Sequence, residues 1–114
     1  YIPQLAVYML SSTYRIPAIW INIRGVLTHT VPVDAYRGAG RPEAIYLVER
    51  TVDAAARELG LAPDELRRRN FVKPTDMPYQ TPVESRYDSG DFEAAMHRCM
   101  ARAEWDDFPL RRED

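Results

Sequence analysis

Cysteine is almost absent from this chain, since Cys99 is the only one in 114 residues. A single cysteine excludes an internal disulfide and favours a reducing compartment. No apolar run is long enough to cross a membrane, and no secretory signal pattern is present. We therefore expect a cytoplasmic protein that forms one domain with a modest core.

An excess of positive charge is also lacking. The 15 basic residues are outnumbered by 17 acidic ones, which gives a formal net charge of -2. This balance argues against a general nucleic-acid-binding surface. A basic cluster at residues 67–69 falls where cations complement the carboxyl end of a helix. We interpret this cluster as a solvated helix end, so replacing Arg67 should have little effect.

Glycine is scarce, with five residues, yet two of them lie close together in the most informative run of the chain. Residues 34–44 read Asp-Ala-Tyr-Arg-Gly-Ala-Gly-Arg-Pro-Glu-Ala. Gly38 and Gly40 can adopt positive φ angles and allow another molecule to approach the backbone closely. Pro42 suits the first turn of a helix, and Glu43 complements the helix dipole. The run therefore predicts a tight loop that leads directly into a helix.

Two arginines, Arg37 and Arg41, flank the glycines of this loop. Backbone N–H groups at a helix start, together with two guanidinium groups, suit a ligand that carries phosphate or oxo groups. On spacing alone, a plain strand-to-helix connection that uses glycine for its geometry is the favoured explanation, because short glycine loops before helices are common.

Apolar periodicity predicts an α+β fold with a short antiparallel strand pair and about three helices. Ile19, Ile21 and Ile23 alternate with Trp20, Asn22 and Arg24, which predicts a strand over residues 16–24. Gly25 interrupts the pattern, and we expect residues 26–30 to continue the strand or to pair back on it before Pro32 ends it. Apolar residues at three- and four-residue steps predict a helix from Pro42 to Leu59. A shorter helix is predicted over residues 63–69, where Pro63 supplies the first turn.

The two ends of the chain give weaker patterns. Apolar spacing predicts a short helix over residues 3–10. Three prolines predict an extended loop over residues 73–86. A further helix should follow, capped by Asp88 or Ser89 and with Cys99 on its buried face.

The sequence Ala-Tyr-Arg-Gly-Ala-Gly-Arg at residues 35–41 resembles the active-site loop of the molybdenum hydroxylase large subunits. This family includes xanthine dehydrogenase, aldehyde oxidase and aerobic carbon-monoxide dehydrogenase, and the run is most similar to bacterial carbon-monoxide dehydrogenase-like large chains. Residues 14–18, 70–71 and 87–92 are also similar to that family. The resemblance implies that residues 1–114 are a single fragment of a larger molybdopterin-binding domain.

The resemblance further implies that the loop lies beside a molybdenum–molybdopterin cofactor in its cytosine dinucleotide form. The backbone amide of Arg37 would meet the ligands of the metal. No side chain of this chain is expected to bind the metal or to be catalytic. The implied cofactor-binding residues are Tyr36, Arg37, Gly38, Ala39, Gly40 and Arg41.

Two positions depart from better-known members of that family. Gly38 matches a cysteine that holds copper in authentic carbon-monoxide dehydrogenases, and glycine has no side chain that could bind copper. Ala39 matches a phenylalanine that stacks on flat heterocycles in the xanthine enzymes, and alanine offers little stacking area. An aldehyde or a small N-heterocycle is therefore the expected substrate class.

The implied reaction is oxidative hydroxylation with water as the oxygen source, with electrons leaving through FAD-binding and iron–sulfur subunits or domains. The family's glutamate base and its other pterin-binding loops are not recognised in this sequence, so the chain alone should be inert. Two alternatives remain open. One is a non-catalytic helical interaction module, which the near coiled-coil spacing from Ile45 to Leu59 favours. The other is a phosphate-binding domain built on the loop–helix junction.

Overall fold

The computed structural model describes residues 2–32 and 34–113 of the chain. Five α-helices and one two-stranded antiparallel sheet form its regular structure within these residues. In chain order they are α1 (Ile2–Val7), α2 (Arg41–Leu59), α3 (Pro63–Asn70), β1 (Tyr79–Gln80), β2 (Arg86–Tyr87), α4 (Phe92–Arg102) and α5 (Phe108–Glu113). The predicted α+β class is confirmed, although the described residues hold more helices than the expected three.

The longest element is α2, whose 19 residues confirm the predicted helix almost to its ends. Gly60 terminates the helix in the left-handed region, at φ 65, and its N–H donates to the carbonyls of the last turn. Ala44, near the start of α2, and Ala56, near its end, are buried. The prediction of α3 is likewise confirmed, with Pro63 in its first turn.

The strand predicted over residues 16–24 is wrong. Described residues 15–32 contain no helix and no strand, and Trp20 and Ile23 are exposed. A strand requires a partner for its backbone N–H and C=O groups. None of the backbone hydrogen bonds within the described part of the chain joins residues 17–32 to another segment. Alternation of apolar residues therefore did not produce a sheet here.

The sheet instead lies mostly within residues 73–86, the segment that the sequence predicts as an extended loop, and ends one residue beyond it at Tyr87. Tyr79 pairs with Tyr87, and Gln80 pairs with Arg86, in antiparallel register. A short 3₁₀ turn, Pro74–Asp76, precedes this hairpin. Each strand has only two residues, which is too short for a period-two pattern to reveal it in the sequence.

The segment that follows α1 connects the N-terminal residues to the end of α3. The N–H of Val72 donates to the Thr13 carbonyl at 3.0 Å, and the N–H of Arg15 donates to the Asn70 carbonyl at 2.8 Å. Between them, the rings of Tyr14 and Phe71 stack with their centroids 5.6 Å apart. Tyr14, Phe71 and Val72 are buried, so this junction forms the centre of the small core.

Three local predictions near the ends need correction. The first helix ends at Val7 instead of residue 10, and turns continue from there to Thr13. Asp91 caps α4, because its side chain accepts a hydrogen bond from the Ala94 N–H at 2.9 Å. Cys99 is exposed and not buried, whereas Phe92, Met96 and Met100 of α4 are half-buried.

Candidate functional site

The glycine loop, defined here as residues 36–41, has an unusual backbone. Gly38, Ala39 and Gly40 lie consecutively in the left-handed region, at φ 99, 46 and 93. The positive φ angles predicted for the two glycines are confirmed, whereas that of Ala39 was not foreseen. Left-handed geometry is costly for residues with a Cβ, so this run strongly favours glycine at the two outer positions.

Internal hydrogen bonds hold the loop in this shape. The N–H of Ala39 donates to the Tyr36 carbonyl at 2.8 Å. The Gly38 carbonyl accepts from the N–H of Arg41 at 3.1 Å and from its side-chain Nε at 2.9 Å. Arg41 is also the first residue of α2, so its guanidinium group links the helix to the loop.

Other donors of the loop are free of such bonds. Within the described residues, the N–H groups of Arg37 and Gly38 have no hydrogen-bond acceptor. Arg37 is exposed, and Tyr36 is 88% exposed. As far as the described residues go, the loop therefore presents these main-chain donors and the exposed guanidinium group of Arg37, which has no hydrogen-bond partner among them.

The glycines also allow close packing on the inner side of the loop. A Cβ at Gly38 would lie 2.6 Å from Cγ of Pro42, which is too close for any side chain. A Cβ at Gly40 would overlap the carbonyl oxygen of Ile2, and Gly40 is itself buried. Both glycines are thus required by contacts as well as by backbone angles. The structure brings residues 36–41 together as one turn, as the sequence predicts.

Arg67 joins α3 to α2, so the interpretation of residues 67–69 as a solvated helix end is wrong for Arg67, although Arg69 is 58% exposed. Its guanidinium group lies 2.7 Å from Glu49 and 2.9 Å from Asp53, both on α2. Its Nη1 also donates to the Pro63 carbonyl at 3.1 Å. The Arg67 side chain is only 18% exposed, so it cross-links α2 and α3 instead of facing solvent.

Tyr14 completes this cross-link. Its hydroxyl donates to the Glu49 carboxylate at 2.9 Å. Burial raises the pKa of Tyr14 well above its usual value of 10.0, and the hydrogen bond to Glu49 and the charge of Glu49 act in the same direction. No pattern in the sequence indicates this network, because its members lie up to 53 residues apart, from Tyr14 to Arg67.

No side-chain metal site accompanies the loop. Within the described residues, no group of three or more His, Cys, Asp or Glu side chains lies close enough to hold a metal ion. Glycine at position 38 supplies only backbone atoms to a ligand. None of the described helices is both long and apolar enough to span a membrane.

Comparisons with known proteins identify the family to which this chain belongs. The sequence pattern of the molybdopterin cofactor-binding domain matches residues 1–71. The carbon monoxide dehydrogenase large chain of Hydrogenophaga pseudoflava is 37% identical over 95 residues, which are 82% of this chain and 12% of the relative. The gamma subunit of the 6-hydroxypseudooxynicotine dehydrogenase complex of Paenarthrobacter nicotinovorans is 33% identical over 100 residues, which are 83% of this chain and 13% of the relative.

A solved structure agrees with these sequence relatives. The copper- and molybdenum-containing CO dehydrogenase in its carbon monoxide reduced state superposes with a TM-score of 0.62 at 32% identity. The superposition covers 69% of this chain and 10% of the CO dehydrogenase chain. The present chain thus spans only 12 to 13% of the length of the curated relatives named above. It belongs to the molybdopterin cofactor-binding domain family and corresponds to a segment of a molybdenum hydroxylase large subunit.

Proposed function

We propose that the glycine loop forms a backbone-lined wall beside the molybdenum–molybdopterin cofactor of a molybdenum hydroxylase. One observation carries this proposal, the backbone of the accessible turn at residues 37–40. Gly38, Ala39 and Gly40 are consecutive left-handed residues, and the N–H groups of Arg37 and Gly38 have no acceptor among the described residues. Family membership favours the cofactor as the loop's ligand over the interaction module and the phosphate site. The cofactor-binding residues are then Tyr36, Arg37, Gly38, Ala39, Gly40 and Arg41.

The donors of the loop suit that cofactor. Backbone N–H groups of Arg37 and Gly38 can donate to oxo or sulfido ligands without adding a mobile charge. The exposed Arg37 side chain is available to an anionic part of the pterin or its cytosine dinucleotide tail. The Nε of Arg41 donates to the Gly38 carbonyl, so Arg41 also holds the loop in shape.

The proposed reaction replaces a substrate C–H bond by C–OH. When bound, the molybdenum cofactor supplies the two-electron oxidation, and water supplies the oxygen atom. Two protons are released, and the two electrons leave through iron–sulfur and FAD-binding partner subunits or domains of a cytoplasmic enzyme. The residues of this chain orient the cofactor and shape the space in front of it.

The side chains at the tip of the loop favour an aldehyde or a small N-heterocycle as substrate. Gly38 offers no ligand for copper, so oxidation of carbon monoxide at a copper–molybdenum centre is disfavoured. Ala39 leaves room beside the cofactor but gives little area for stacking on a flat purine. Because this chain supplies no catalytic side chain, we propose that it is inert without the rest of the large subunit.

The exposed apolar side of α2 is consistent with contact to the rest of that subunit. Tyr46 and Leu47 are both largely exposed on the second turn of the helix. Solvent exposure of large apolar side chains in one place is typical of surfaces that pack against other protein.

The proposal is tested by Gly38→Leu in the full-length large subunit. A leucine at φ 99 would be strained and would collide with Pro42, which would displace the backbone donors of the loop. We expect turnover to fall by at least about a hundredfold, as misplacement at a reacting centre produces. Gly60→Ala is the matched control, since Gly60 is also left-handed but has open space around it.

Molybdenum content and turnover are measured for both variants. Gly60→Ala should retain both, apart from a small loss of stability. Normal turnover in Gly38→Leu would contradict the assignment of the loop to the cofactor.

A further inference from the structure

The N-terminal segment, residues 2–15, holds α2 at two points. At the first point, the carbonyl of Ile2 lies so close to Gly40 that no Cβ fits between them. At the second, the hydroxyl of Tyr14 donates to Glu49 at 2.9 Å. Glu49 lies in the third turn of α2, whereas Gly40 is its N-cap residue. The position of the glycine loop therefore depends on the position of this segment.

The hairpin formed by β1 and β2 in turn holds the N-terminal segment. The Tyr87 hydroxyl donates to the Ser12 carbonyl at 2.7 Å, and the Ser85 hydroxyl donates to the Tyr8 carbonyl at 3.1 Å. Both carbonyls belong to the turns that connect α1 to Tyr14. Ser12 is buried and left-handed at φ 46, so its carbonyl has a fixed direction.

These contacts form a continuous path from the hairpin to the loop. Tyr87 fixes the turn at Ser12, the turn fixes α1, and the first residue of α1 packs directly on Gly40. The hairpin lies outside residues 1–71, the part that matches the cofactor-binding family pattern. The sequence of the glycine loop does not indicate that Tyr87, in this distant hairpin, affects the position of the loop.

We propose that Tyr87 is a positioning residue for the glycine loop and acts through the N-terminal segment. Its hydroxyl holds the segment, and the segment holds Gly40 and thereby the donors of Arg37 and Gly38. The effect of Tyr87 on the cofactor rests on the proposed function, whereas its effect on the loop does not. Burial raises the pKa of the Tyr87 hydroxyl above its usual value of 10.0.

Tyr87→Phe in the cofactor-loaded full-length large subunit tests this path. The variant removes one hydroxyl and keeps the ring that packs against Phe92. Hydrogen exchange is measured by mass spectrometry on peptides that cover residues 37–44. The amides of Ala39, Arg41 and Ala44 are hydrogen-bonded within the loop and the first turn of α2, so their exchange reports its opening. We expect exchange there to become about fivefold faster, the effect of one lost hydrogen bond.

Tyr79→Phe is the matched control. Tyr79 stacks on Tyr87 in the same hairpin with ring centroids 6.5 Å apart, but its hydroxyl has no hydrogen-bond partner among the described residues. Peptides from α4 provide a second control within the same sample. Tyr79→Phe should change the exchange of the loop peptides by no more than about twofold. Tyr87→Phe should likewise change the exchange of the α4 peptides by no more than about twofold.

The outcomes separate the two proposals. Unchanged loop exchange in Tyr87→Phe, or an equal increase in α4, would overturn the positioning role of Tyr87. Faster loop exchange together with a changed electron paramagnetic resonance signal of molybdenum supports both proposals. Faster loop exchange with an unchanged molybdenum signal supports the positioning of the loop and contradicts its placement beside the cofactor.

Discussion

Arg67→Ala should weaken the attachment of α2 to α3 substantially. In the structure the Arg67 guanidinium group contacts two carboxylates on α2, at 2.7 Å and 2.9 Å. Its removal leaves Glu49 and Asp53 as neighbouring negative charges that are only 32% and 28% exposed. Breaking a fully buried ion pair costs about 3–5 kcal/mol, and an exposed pair contributes about 0.2–1 kcal/mol.

The three side chains lie between those limits, so we expect a loss of about 2 kcal/mol for the opening of α3. A loss of this size corresponds to about thirtyfold faster amide exchange. Native-state hydrogen exchange of the α3 amides measures it directly. Arg67→Lys keeps the charge but loses the forked geometry, and it should recover only part of the protection.

Arg69→Ala is the matched control for this prediction. Arg69 lies two residues further along α3 and pairs with Glu65 at 2.7 Å, but its side chain is 58% exposed. Its removal should change exchange in α3 much less than the removal of Arg67. Equal effects of the two substitutions, or a change of less than about twofold in Arg67→Ala, would refute the claim that Arg67 joins the two helices.

Three further predictions concern other parts of the chain. Asp91→Ala should destabilise the first turn of α4 by about 1 kcal/mol because an N-cap is lost, while Ser89→Ala should not; amide exchange of α4 compares the two. The folded-state pKa of Tyr14 is raised, so its contribution to stability is fully present below about pH 10 and is lost as pH rises further; in urea unfolding, Tyr14→Phe should lack this loss. Ala39→Phe should lower KM for a flat N-heterocycle relative to an aldehyde, because it adds stacking area in front of the loop, and equal changes for both substrates would contradict that reasoning.

Local chemistry made the loop and the two helices after it predictable. Gly38 and Gly40 indicated left-handed backbone, Pro42 indicated a helix start and Gly60 indicated its end, and each of these signals acts over a few residues. The resemblance at residues 35–41 rested on the same short run. The cofactor role of that run stays a prediction.

Contacts between distant residues made the rest unpredictable. The alternation around Ile21 predicted a strand, but a strand needs a partner that the described residues do not provide. The sequence predicted a surface cation at Arg67, because the partners of Arg67 lie on another helix, 14 or more residues away in the sequence. The hydroxyl of Tyr87 bonds to a carbonyl 75 residues earlier, and no sequence periodicity records such a contact.

The most direct test of the central claim is an experimental structure of the full-length large subunit with its cofactor bound. The deciding measurement is the distance from the backbone nitrogens of Arg37 and Gly38 to the nearest ligand atom of molybdenum. We predict that at least one nitrogen lies within about 3 Å, the length of an N–H···O hydrogen bond, or slightly further from a sulfido ligand. A loop that faces away from the cofactor, with both nitrogens bonded to protein or water, would contradict the claim.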